Sequence, residues 1–458
     1  MFKEYTNMKR FATAVILISG AAAVFASGVE NKTNMSTGYL RNPSRNTEAK
    51  RPEASYYNVA GTAFMADGLY IEAGNQFVFK EYGNEMKTGN VLASAPLGIN
   101  DYYSNDETTV WFYPDADFVY KHNNYSIFGN FGVYAGGGSL EYSEGTSATT
   151  MLFGGKAAGF FMQAKDAMAS QDFQTAQTAQ KMGQTLTEAA KNHKLNVTSI
   201  TYGGQLGMGY LFMDNLSFAA GLRYVHGTQQ MEIKSDAFSL LGNGGDTISY
   251  KANGYTVSGV FGIHWRPIEV VDLAVQYQSK SSVKYKVKDV EGKLASQFGI
   301  TDDTTFHTDL PAALNLGAGW QALENLYLSS SFNYYFNYFA DQDSILGETD
   351  YANSWEVAVG ADWKFCKWAS YSLGLQYGKQ GTKDDSNSTF NPVLDSFCVG
   401  TGFEVYPTEQ ITVTVSGLFA KYFNTDYYLS AGGASYKTEL SKKVTNISLG
   451  VTYHFPNL

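Results

Sequence analysis

The sequence predicts an all-β transmembrane barrel of about 14 antiparallel strands, and three observations support this fold class. The composition is aromatic and glycine-rich, with 33 Tyr, 30 Phe and 46 Gly but only 9 Pro in 458 residues. The mean hydropathy of −0.24 is too low for a bundle of membrane helices but suits a wall whose alternate residues face lipid. The last run before the C-terminus alternates as a half-buried strand does. Its apolar face carries Ile447, Leu449, Val451, Tyr453 and Phe455, and its polar face carries Asn446, Ser448, Gly450, Thr452 and His454.

Residues 1–26 have the pattern of a secretory signal peptide. Lys9 and Arg10 precede a short apolar run that ends in small residues, and cleavage after Ala26 fits this pattern. A membrane anchor is the alternative, although the run is shorter than the roughly 20 residues of a spanning helix. We therefore expect the exported chain to enter a membrane only as a barrel.

Charge and cysteine content narrow the classes of partner. The net charge is −10, from 33 basic and 43 acidic residues, and no basic run is present, so we expect no nucleic-acid partner. The two cysteines, Cys366 and Cys398, define no disulfide framework. A whole predicted strand separates them, and we expect two free thiols.

Residues 27–68 lack alternation and predict a plug inside the barrel. They contain Asn42-Pro43 and then Asn58-Val59-Ala60-Gly61, followed by Asp67-Gly68 at the start of the first strand. This segment resembles the N-terminal hatch of the FadL/OmpP1/TodX family, which carries an Asn-Pro-Ala-Gly-like motif before an Asp-Gly step. An ordinary periplasmic loop is the alternative.

The resemblance implies a barrel of 14 strands and an outer-membrane transporter of long-chain fatty acids and hydrocarbons. It also implies that the hatch motifs gate the channel, and these contain Asn42, Pro43, Asn58, Val59, Ala60 and Gly61. Val59 stands where the family has proline, so the bend of the hatch is expected to differ there.

Residues 69–458 predict the barrel itself. Alternating runs recur at 69–80, 110–120, 126–135, 198–212, 216–225, 255–265 and 271–278, and then more regularly from 314 to 455. Short turns alternate with long loops, which is typical of bacterial outer-membrane barrels with both termini in the periplasm. A soluble β-sandwich or propeller is the alternative.

The strand parity also predicts which charged side chains face the lumen. Water in an open pore would accommodate these charges. They also suit a plugged lumen, because Arg41, Arg45 and Arg51 of the plug can pair with wall carboxylates. We favour the plugged lumen over a plug that lies outside an open pore. The predicted inward residues are Glu72, Asp115, Asp117, Arg223, His264, Asp272, Glu356, Asp362, Lys364 and Glu404.

An insertion at about 154–193 predicts two short amphipathic helices in an outer loop, because Ala157, Phe161, Ala164 and Met168 recur at helical spacing. In the resembled family, helical outer loops form an apolar groove that first collects the ligand. Packing of the two helices against each other is the alternative role. The candidate ligand-binding residues are Phe160, Phe161, Met162, Met168 and Phe173.

Gly136-Gly137-Gly138 is expected to end the third strand. Glycine weakens a β-ladder and marks bulges. The resemblance implies a kink in a wall strand through which a hydrophobic ligand leaves sideways, and by position this third strand is the candidate. The alternative is that the glycines simply begin a loop.

No catalytic or metal-binding motif is found, and we expect neither an enzyme nor a cofactor. His264 is interpreted as a lumen residue bonded to a neighbour. The predicted function is that of a monomeric outer-membrane channel, whose partners are a fatty-acid-like ligand and the lipid bilayer. A general diffusion porin and a surface adhesin that acts through the loops at 83–108, 138–197 and 227–248 are the alternatives.

Overall fold

A computed structural model describes residues 34–456 except 88–101, 241, 299, 345–346, 349–350, 383–386, 388–391 and 432–433. The predicted signal peptide lies outside the described residues. Fourteen antiparallel strands form one wall. They are β1 (Gly68–Lys87), β2 (Tyr102–His122), β3 (Tyr125–Tyr142), β4 (Lys194–Met213), β5 (Leu216–Lys234), β6 (Thr247–Ile268), β7 (Val271–Gln278), β8 (Ala313–Leu323), β9 (Leu326–Tyr335), β10 (Ser354–Cys366), β11 (Ala369–Lys379), β12 (Ser396–Val405), β13 (Ile411–Tyr422) and β14 (Ala434–Phe455).

The wall closes on itself, because β1 pairs with both β2 and β14. The seam runs from the pair Leu69 and Phe455 to the pair Lys87 and Lys437. Closure joins the first and last strands, which would be the edges of an open sheet. The predicted barrel of 14 strands is confirmed.

The alternating side chains of the last strand face two different environments. Ile447, Leu449 and Val451 are 45–51% exposed on the outside of the wall, where lipid would lie. Ser448 and Thr452 of the same strand are buried in the interior. The period of two in the sequence therefore places each side chain on the face predicted for it.

The two ends of the barrel differ in their connections. At one end, called the turn end, strands are joined by tight turns such as Asn123-Asn124 and Asp214-Asn215. The other, called the loop end, has the long connections, including α3 (Ser147–Ala169), α4 (Phe173–Lys191) and α5 (Ala237–Leu240). Among the described helices, none is both long and apolar enough to cross a bilayer. The remaining short elements are strands Lys284–Glu291, Thr305–His307, Asp343–Ser344, Gly347–Glu348 and Thr425–Ala431, and 3₁₀ helices Ala295–Phe298 and Asn337–Phe339.

Several strands extend further toward the loop end than predicted. β1 continues to Lys87 and β2 begins at Tyr102, so part of the predicted loop at 83–108 is strand. Gly136-Gly137-Gly138 lies inside β3, which ends only at Tyr142, so the placement at a strand end and the simple loop start are both wrong. The backbone ladder of β1 continues toward the loop end with polar residues such as Glu81 and Glu85 on its outward face, while Tyr82 and Met86 are buried in the apolar cluster inside. The apolar face is therefore reversed relative to the lipid-facing band, and the alternation used for the prediction does not continue.

The N-terminal segment lies inside the lumen, and its described part, residues 34–67, is called the hatch below. It contains α1 (Thr37–Arg41), α2 (Ala54–Tyr57) and a 3₁₀ helix, Val59–Phe64. Residues 35–49 and 52–63 are buried without interruption. Such continuous burial of a polar segment requires hydrogen-bond partners from the wall, and these define the site. The two cysteines are free, as predicted.

Candidate functional site

Ion pairs fix the hatch to the wall near the turn end. Arg41 Nη1 donates to Asp362 Oδ1 at 2.6 Å, and its Nη2 lies 3.0 Å from Glu404 Oε1. Arg51 donates to Glu404 through Nε and Nη2, both at 3.1 Å, which is the strong two-pronged geometry. Arg45 Nη1 lies 3.4 Å from Asp362 Oδ2. The predicted pairing of the three plug arginines with wall carboxylates is confirmed.

Charges within the hatch also pair with each other. Arg45 Nη1 donates to Glu48 Oε2 at 3.0 Å and its Nε lies 3.5 Å from Glu53 Oε1. Ser36 donates to the other oxygen of Glu53. Burial raises the pKa of Glu53 above its ordinary value, although Arg45 beside it partly offsets this effect. The hatch is therefore a folded unit with its own internal polar network.

Wall glycines form the slot that receives Asn42 and Pro43. A Cβ on Gly374 would stand 2.5 Å from Pro43 Cδ, and one on Gly360 would overlap the Asn42 side chain. Asn42 Nδ2 also donates to Asp362 Oδ2 at 3.2 Å. A side chain at Gly360 or Gly374 would displace Asn42 and Pro43. Glycine at these two wall positions therefore has a packing reason.

The second hatch motif is held by β5, β6 and β7. Asn58 Nδ2 lies 2.7 Å from His264 Nδ1, and Val59 N donates to Gln276 Oε1 at 2.9 Å. Ser217 Oγ donates to Ala60 O at 2.7 Å. Gly61 has no room for a Cβ, because it lies against Glu48 O. The family's proline would lack the N–H that Val59 donates to the wall.

His264 is a structural residue of this contact. It is fully buried, and its Nε2 lies 2.8 Å from Asp272 Oδ1 while its Nδ1 faces Asn58. Both ring nitrogens are therefore engaged. This arrangement agrees with the predicted lumen residue bonded to its neighbours, and it leaves neither nitrogen directed at a substrate.

Aromatic packing replaces ion pairs on the loop side of the hatch. Tyr39 stacks on Tyr57 with ring centroids 5.6 Å apart, and Tyr56 meets Tyr134 of β3 edge-on at 5.6 Å. The Arg223 guanidinium lies 4.9 Å from the Tyr134 ring centroid. These rings join a large apolar cluster that fills the loop half of the barrel. The hatch therefore has mainly aromatic contacts on its loop side and mainly ion pairs on its turn side.

A cavity of about 80 Å³ lies between this side of the hatch and the wall. Asn34 and Tyr39 line it from the hatch, and Gly136 and Gly137 line it from β3. Lys80, which is buried, also lines it. The ammonium group of Lys442, likewise buried, lies 4.9 Å from the Tyr82 ring and 4.7 Å from the Tyr422 ring, and both rings belong to the lining. Lys80 and Glu356 of the lining, with Lys442 beside it, thus place charged groups among the aromatic and polar side chains of this space.

The ladder of β3 is irregular where this cavity meets it, and Gly136-Gly137-Gly138 is called the β3 kink below. Gly136 and Gly138 have φ of +79° and +87°, and the register with β4 shifts on either side of Gly136. β3 pairs with β2 only from Tyr125 to Phe131, so its ladder to β2 ends before the kink. The wall therefore has an unpaired stretch between β2 and β3 beside the three glycines. Lys80 Nζ donates to Gly137 O and to Ser139 O, both at 2.9 Å, from β1.

The outer helical pair α3 and α4 divides the five candidate ligand residues into two groups. Phe160 and Phe161 are partly buried against the apolar cluster, and a Cβ on Gly183 would come within 2.9 Å of the Phe161 ring. Met162, Met168 and Phe173 are 57–66% exposed. The first group packs the helices, which was the alternative role, and the second group forms an exposed apolar surface. None of the five lines the cavity near Gly136.

The base of the helical pair is anchored at the loop end by His193. Its Nε2 lies 2.6 Å from Thr149 Oγ1 and its Nδ1 lies 2.9 Å from Ala189 O. Phe153 contacts the imidazole edge-on at 5.0 Å. Burial lowers the pKa of His193 to about 4. Burial also lowers the pKa of Lys156 on α3 to about 8.

A second cavity, of about 900 Å³, opens at the turn end below the hatch. Arg41, Arg51, Asp362 and Glu404 line it, together with turn residues such as Lys367. Its lining is rich in charged side chains, among them Arg45, Glu48 and Arg266, whereas the charged residues that line the cavity near Gly136 are Lys80 and Glu356. A hydrophobic ligand that left by this route would cross the ion pairs described above.

Two residues of the site were not singled out from the sequence. Lys80 lies on the inward face of β1 at the same parity as Glu72, and Gln276 lies on the inward face of β7 at the parity of Asp272. The alternation of each strand is therefore enough to place Lys80 and Gln276 in the lumen. It gave no reason to distinguish them from other inward residues, because their partners are Gly137 and Val59 in distant parts of the chain.

Comparison with known proteins gives one family. Residues 164–455, more than half of the chain, match the family described as outer membrane protein transport protein (OMPP1/FadL/TodX). No curated protein matches the chain.

Solved structures are similar in fold at low sequence identity. A Pseudomonas aeruginosa FadL homologue has a TM-score of 0.63 at 14% identity and covers 95% of this chain and 100% of its own. The P. putida toluene transporter TodX has a TM-score of 0.58 at 13% identity, with coverages of 94% and 100%. The Ralstonia pickettii toluene transporter TbuX has a TM-score of 0.55 at 11% identity, with coverages of 93% and 99%.

Proposed function

Because the chain belongs to the OMPP1/FadL/TodX family of outer-membrane transporters of hydrophobic compounds, we propose that it admits long-chain fatty acids and releases them sideways at the kink in β3. The observation that carries this proposal is a single cavity that touches both the hatch, at Tyr39, and the kink, at Gly136 and Gly137. The protein lies in the outer membrane. One chain closes the wall, so a monomer is sufficient to form the channel.

The lysines support a carboxylate-bearing ligand. Lys80 and Lys442 are buried beside the apolar rings of Tyr82 and Tyr422, an arrangement that suits a negatively charged head group attached to an apolar chain. A charge-assisted hydrogen bond to such a group contributes roughly 1.5–3 kcal/mol. An uncharged hydrocarbon would gain nothing from these lysines, so they distinguish the two ligand classes.

The small size of the cavity supports a gating role for the hatch. Ligand sites usually have about 300 Å³ or more, whereas this cavity has about 80 Å³. A long-chain ligand therefore requires the hatch to shift away from the wall. Capture by the exposed Met162, Met168 and Phe173 would precede this step, with about 0.8 kcal/mol gained per buried CH₂.

Uptake of labelled oleate by cells that lack their own transporter tests the route. Gly136→Ala should lower uptake several-fold, because an L-residue is strained at φ +79° and its Cβ would overlap Ser199 O. Gly137→Ala is the matched control, because its Cβ would meet nothing within 4 Å. Equal uptake by both variants would exclude the kink as the exit.

Binding to the purified protein tests the ligand class. Lys442→Gln should weaken oleate binding about tenfold or more and leave toluene binding unchanged. Lys443→Gln is the control, because its side chain is 66% exposed and pairs with Glu81. No saturable oleate binding, together with free conductance of small sugars, would favour the porin instead. The adhesin hypothesis stays a prediction about the outer loops.

A further inference from the structure

Three buried carboxylates face one another inside the barrel, on the seam side of the hatch. Oxygen atoms of Glu72, Asp115 and Asp117 all lie within 4.8 Å of one another. Glu72 of β1 and Asp117 of β2 are direct cross-strand partners, and Asp115 precedes Asp117 by two residues on β2. Like charges in this relation destabilise a sheet, so their placement together requires a compensating positive charge.

The described part of the protein supplies no such charge by direct contact. None of its ion pairs involves these three carboxylates, in contrast to Asp362 and Glu404 on the opposite side of the hatch. Glu72 accepts a hydrogen bond from Thr452 at 2.7 Å, and Asp117 accepts one from Ser55 at 2.5 Å. Burying three uncompensated charges would be prohibitive.

An unpartnered hydroxyl from the hatch faces the same gap. Thr37 Oγ1 is fully buried without a hydrogen-bond partner, and so are both carboxylate oxygens of Asp115. A Cβ on Gly74 would stand 2.6 Å from Thr37 Oγ1 and 2.6 Å from Asp115 Oδ2. The missing side chain of Gly74 therefore leaves a space into which hatch and wall oxygens both point.

We propose that this space binds a divalent cation, with calcium as the best fit, through Glu72, Asp115, Asp117 and Thr37. Calcium takes oxygen ligands at about 2.3–2.6 Å, so two ligands on opposite sides of it lie about 4.6–5.2 Å apart. The spacing of at most 4.8 Å among the carboxylates fits one such ion. A shared proton would satisfy one pair of oxygens, whereas a cation contacts all of them at once.

The ion would tie the hatch to the seam of the barrel. Its wall ligands come from β1 and β2, and Thr37 belongs to the first helix of the hatch. Calcium would thus hold the side of the hatch that lacks arginine pairs. This inference goes beyond the proposed transport, because it concerns how the hatch is seated and not what passes it.

Calcium content and thermal unfolding of the purified full-length protein test the proposal. After dialysis against EDTA and return to calcium, the wild type should hold one equivalent by elemental analysis, and its Tm should rise with free calcium. The double variant Asp115→Asn/Asp117→Asn should lose both responses. Gly74→Ala, which fills the space without removing charge, should lose them as well.

A control and a second readout make the result decisive. Asp309→Asn/Asp341→Asn removes both acids of the other cluster in the described residues, beside His307, and should retain the calcium response. Chelation should accelerate hydrogen exchange in hatch peptides at 34–58 and leave β10 to β13 unchanged. A folded wild type that holds no stoichiometric calcium would overturn the proposal, and so would identical calcium responses in the wild type and in Asp115→Asn/Asp117→Asn.

Discussion

Neutralising Glu404 should loosen the hatch without unfolding the barrel. Glu404 is the only ion-pair partner of Arg51 among the described residues, and it also contacts Arg41 at 3.0 Å. In the variant Glu404→Gln, Arg41 still pairs with Asp362, whereas Arg51 loses the carboxylate with which it pairs. Removing one partner of a buried pair costs roughly 3–5 kcal/mol. We expect the lower value, about 3 kcal/mol, because glutamine retains a hydrogen-bond acceptor and Arg51 is partly exposed. This free energy corresponds to a factor of about one hundred in the equilibrium for opening of the hatch.

Hydrogen exchange followed by mass spectrometry measures this change directly. Hatch peptides covering 37–58 should exchange about a hundredfold faster in Glu404→Gln, by the same conversion, while peptides from β4 to β6 keep the wild-type rate. Glu409→Gln is the matched control, because Glu409 also lines the cavity at the turn end but is exposed. The double variant Arg51→Met/Glu404→Gln should exchange more slowly than the summed effects of the two single variants predict, and this deviation measures the coupling of the pair.

One result would refute the reasoning. If Glu404→Gln is folded and its hatch exchanges within about twofold of the wild type, well below the factor expected from a broken buried pair, the ion pairs at the turn end do not hold the hatch. Single-channel conductance gives an independent check, because a loosened hatch should open the lumen to small ions in Glu404→Gln and not in Glu409→Gln.

Three further predictions concern the second motif, the outer helices and pH. Val59→Pro should remove the N–H bond to Gln276 and speed hatch exchange by an amount equivalent to about 1–3 kcal/mol, measured on the same peptides. His193 should make the helical pair less stable as pH falls from about 6.5 toward 4: the unfolded imidazole takes up a proton in this range, whereas burial keeps the folded one neutral with its pKa lowered to about 4. The loss should approach about 3 kcal/mol, visible as faster exchange in α3 and α4 and abolished in His193→Gln. Phe173→Ser and Met162→Gln should slow the initial capture of oleate without changing thermal stability, since both side chains are exposed, and unchanged capture kinetics would argue against the apolar outer surface.

The sequence was sufficient to place wall side chains on the correct face. A period of two is fixed by the strand backbone, so one apolar run determines the parity of Glu72, Asp362 or Glu404 before any contact is known. The pairing of the hatch arginines with the wall followed from the same parity, because buried carboxylates in a plugged lumen require cations. Both inferences depend on local geometry and charge balance, which the sequence contains.

The outer limits of the strands and the contacts of the hatch were not predictable in this way. The ladder of β1 continues to Lys87, where Tyr82 and Met86 are buried inside the barrel and the outward residues are polar, so the apolar face is the opposite of the one that marks the lipid-facing band. The bond between Val59 and Gln276 joins residues 217 positions apart, and no periodicity connects them. The three lumen acids were each placed inward, but their meeting with Thr37 depends on where the hatch is seated.

The outer helices show a similar limit on a smaller scale. Helical spacing predicted the pair, yet Phe161 packs toward Gly183 while its neighbour Met162 is 65% exposed. Successive residues on a helix point about 100° apart, so an apolar run of Phe160, Phe161 and Met162 necessarily spans both the packed and the exposed face. Only the position of α4 determines which residue remains available to a ligand.

The distribution of contacts around the hatch favours release through the wall over release into the turn end. Movement toward the turn end would break the pairs of Arg41, Arg45 and Arg51, and a buried pair that loses one partner costs roughly 3–5 kcal/mol. On the loop side the hatch meets the wall through rings such as Tyr56 and Tyr134, and an aromatic pair adds only about 0.5–1.5 kcal/mol beyond its buried area. An apolar ligand can replace that packing and recover the buried area itself. We therefore expect the loop side of the hatch to yield first, which enlarges the cavity next to the β3 kink while the charged side stays closed.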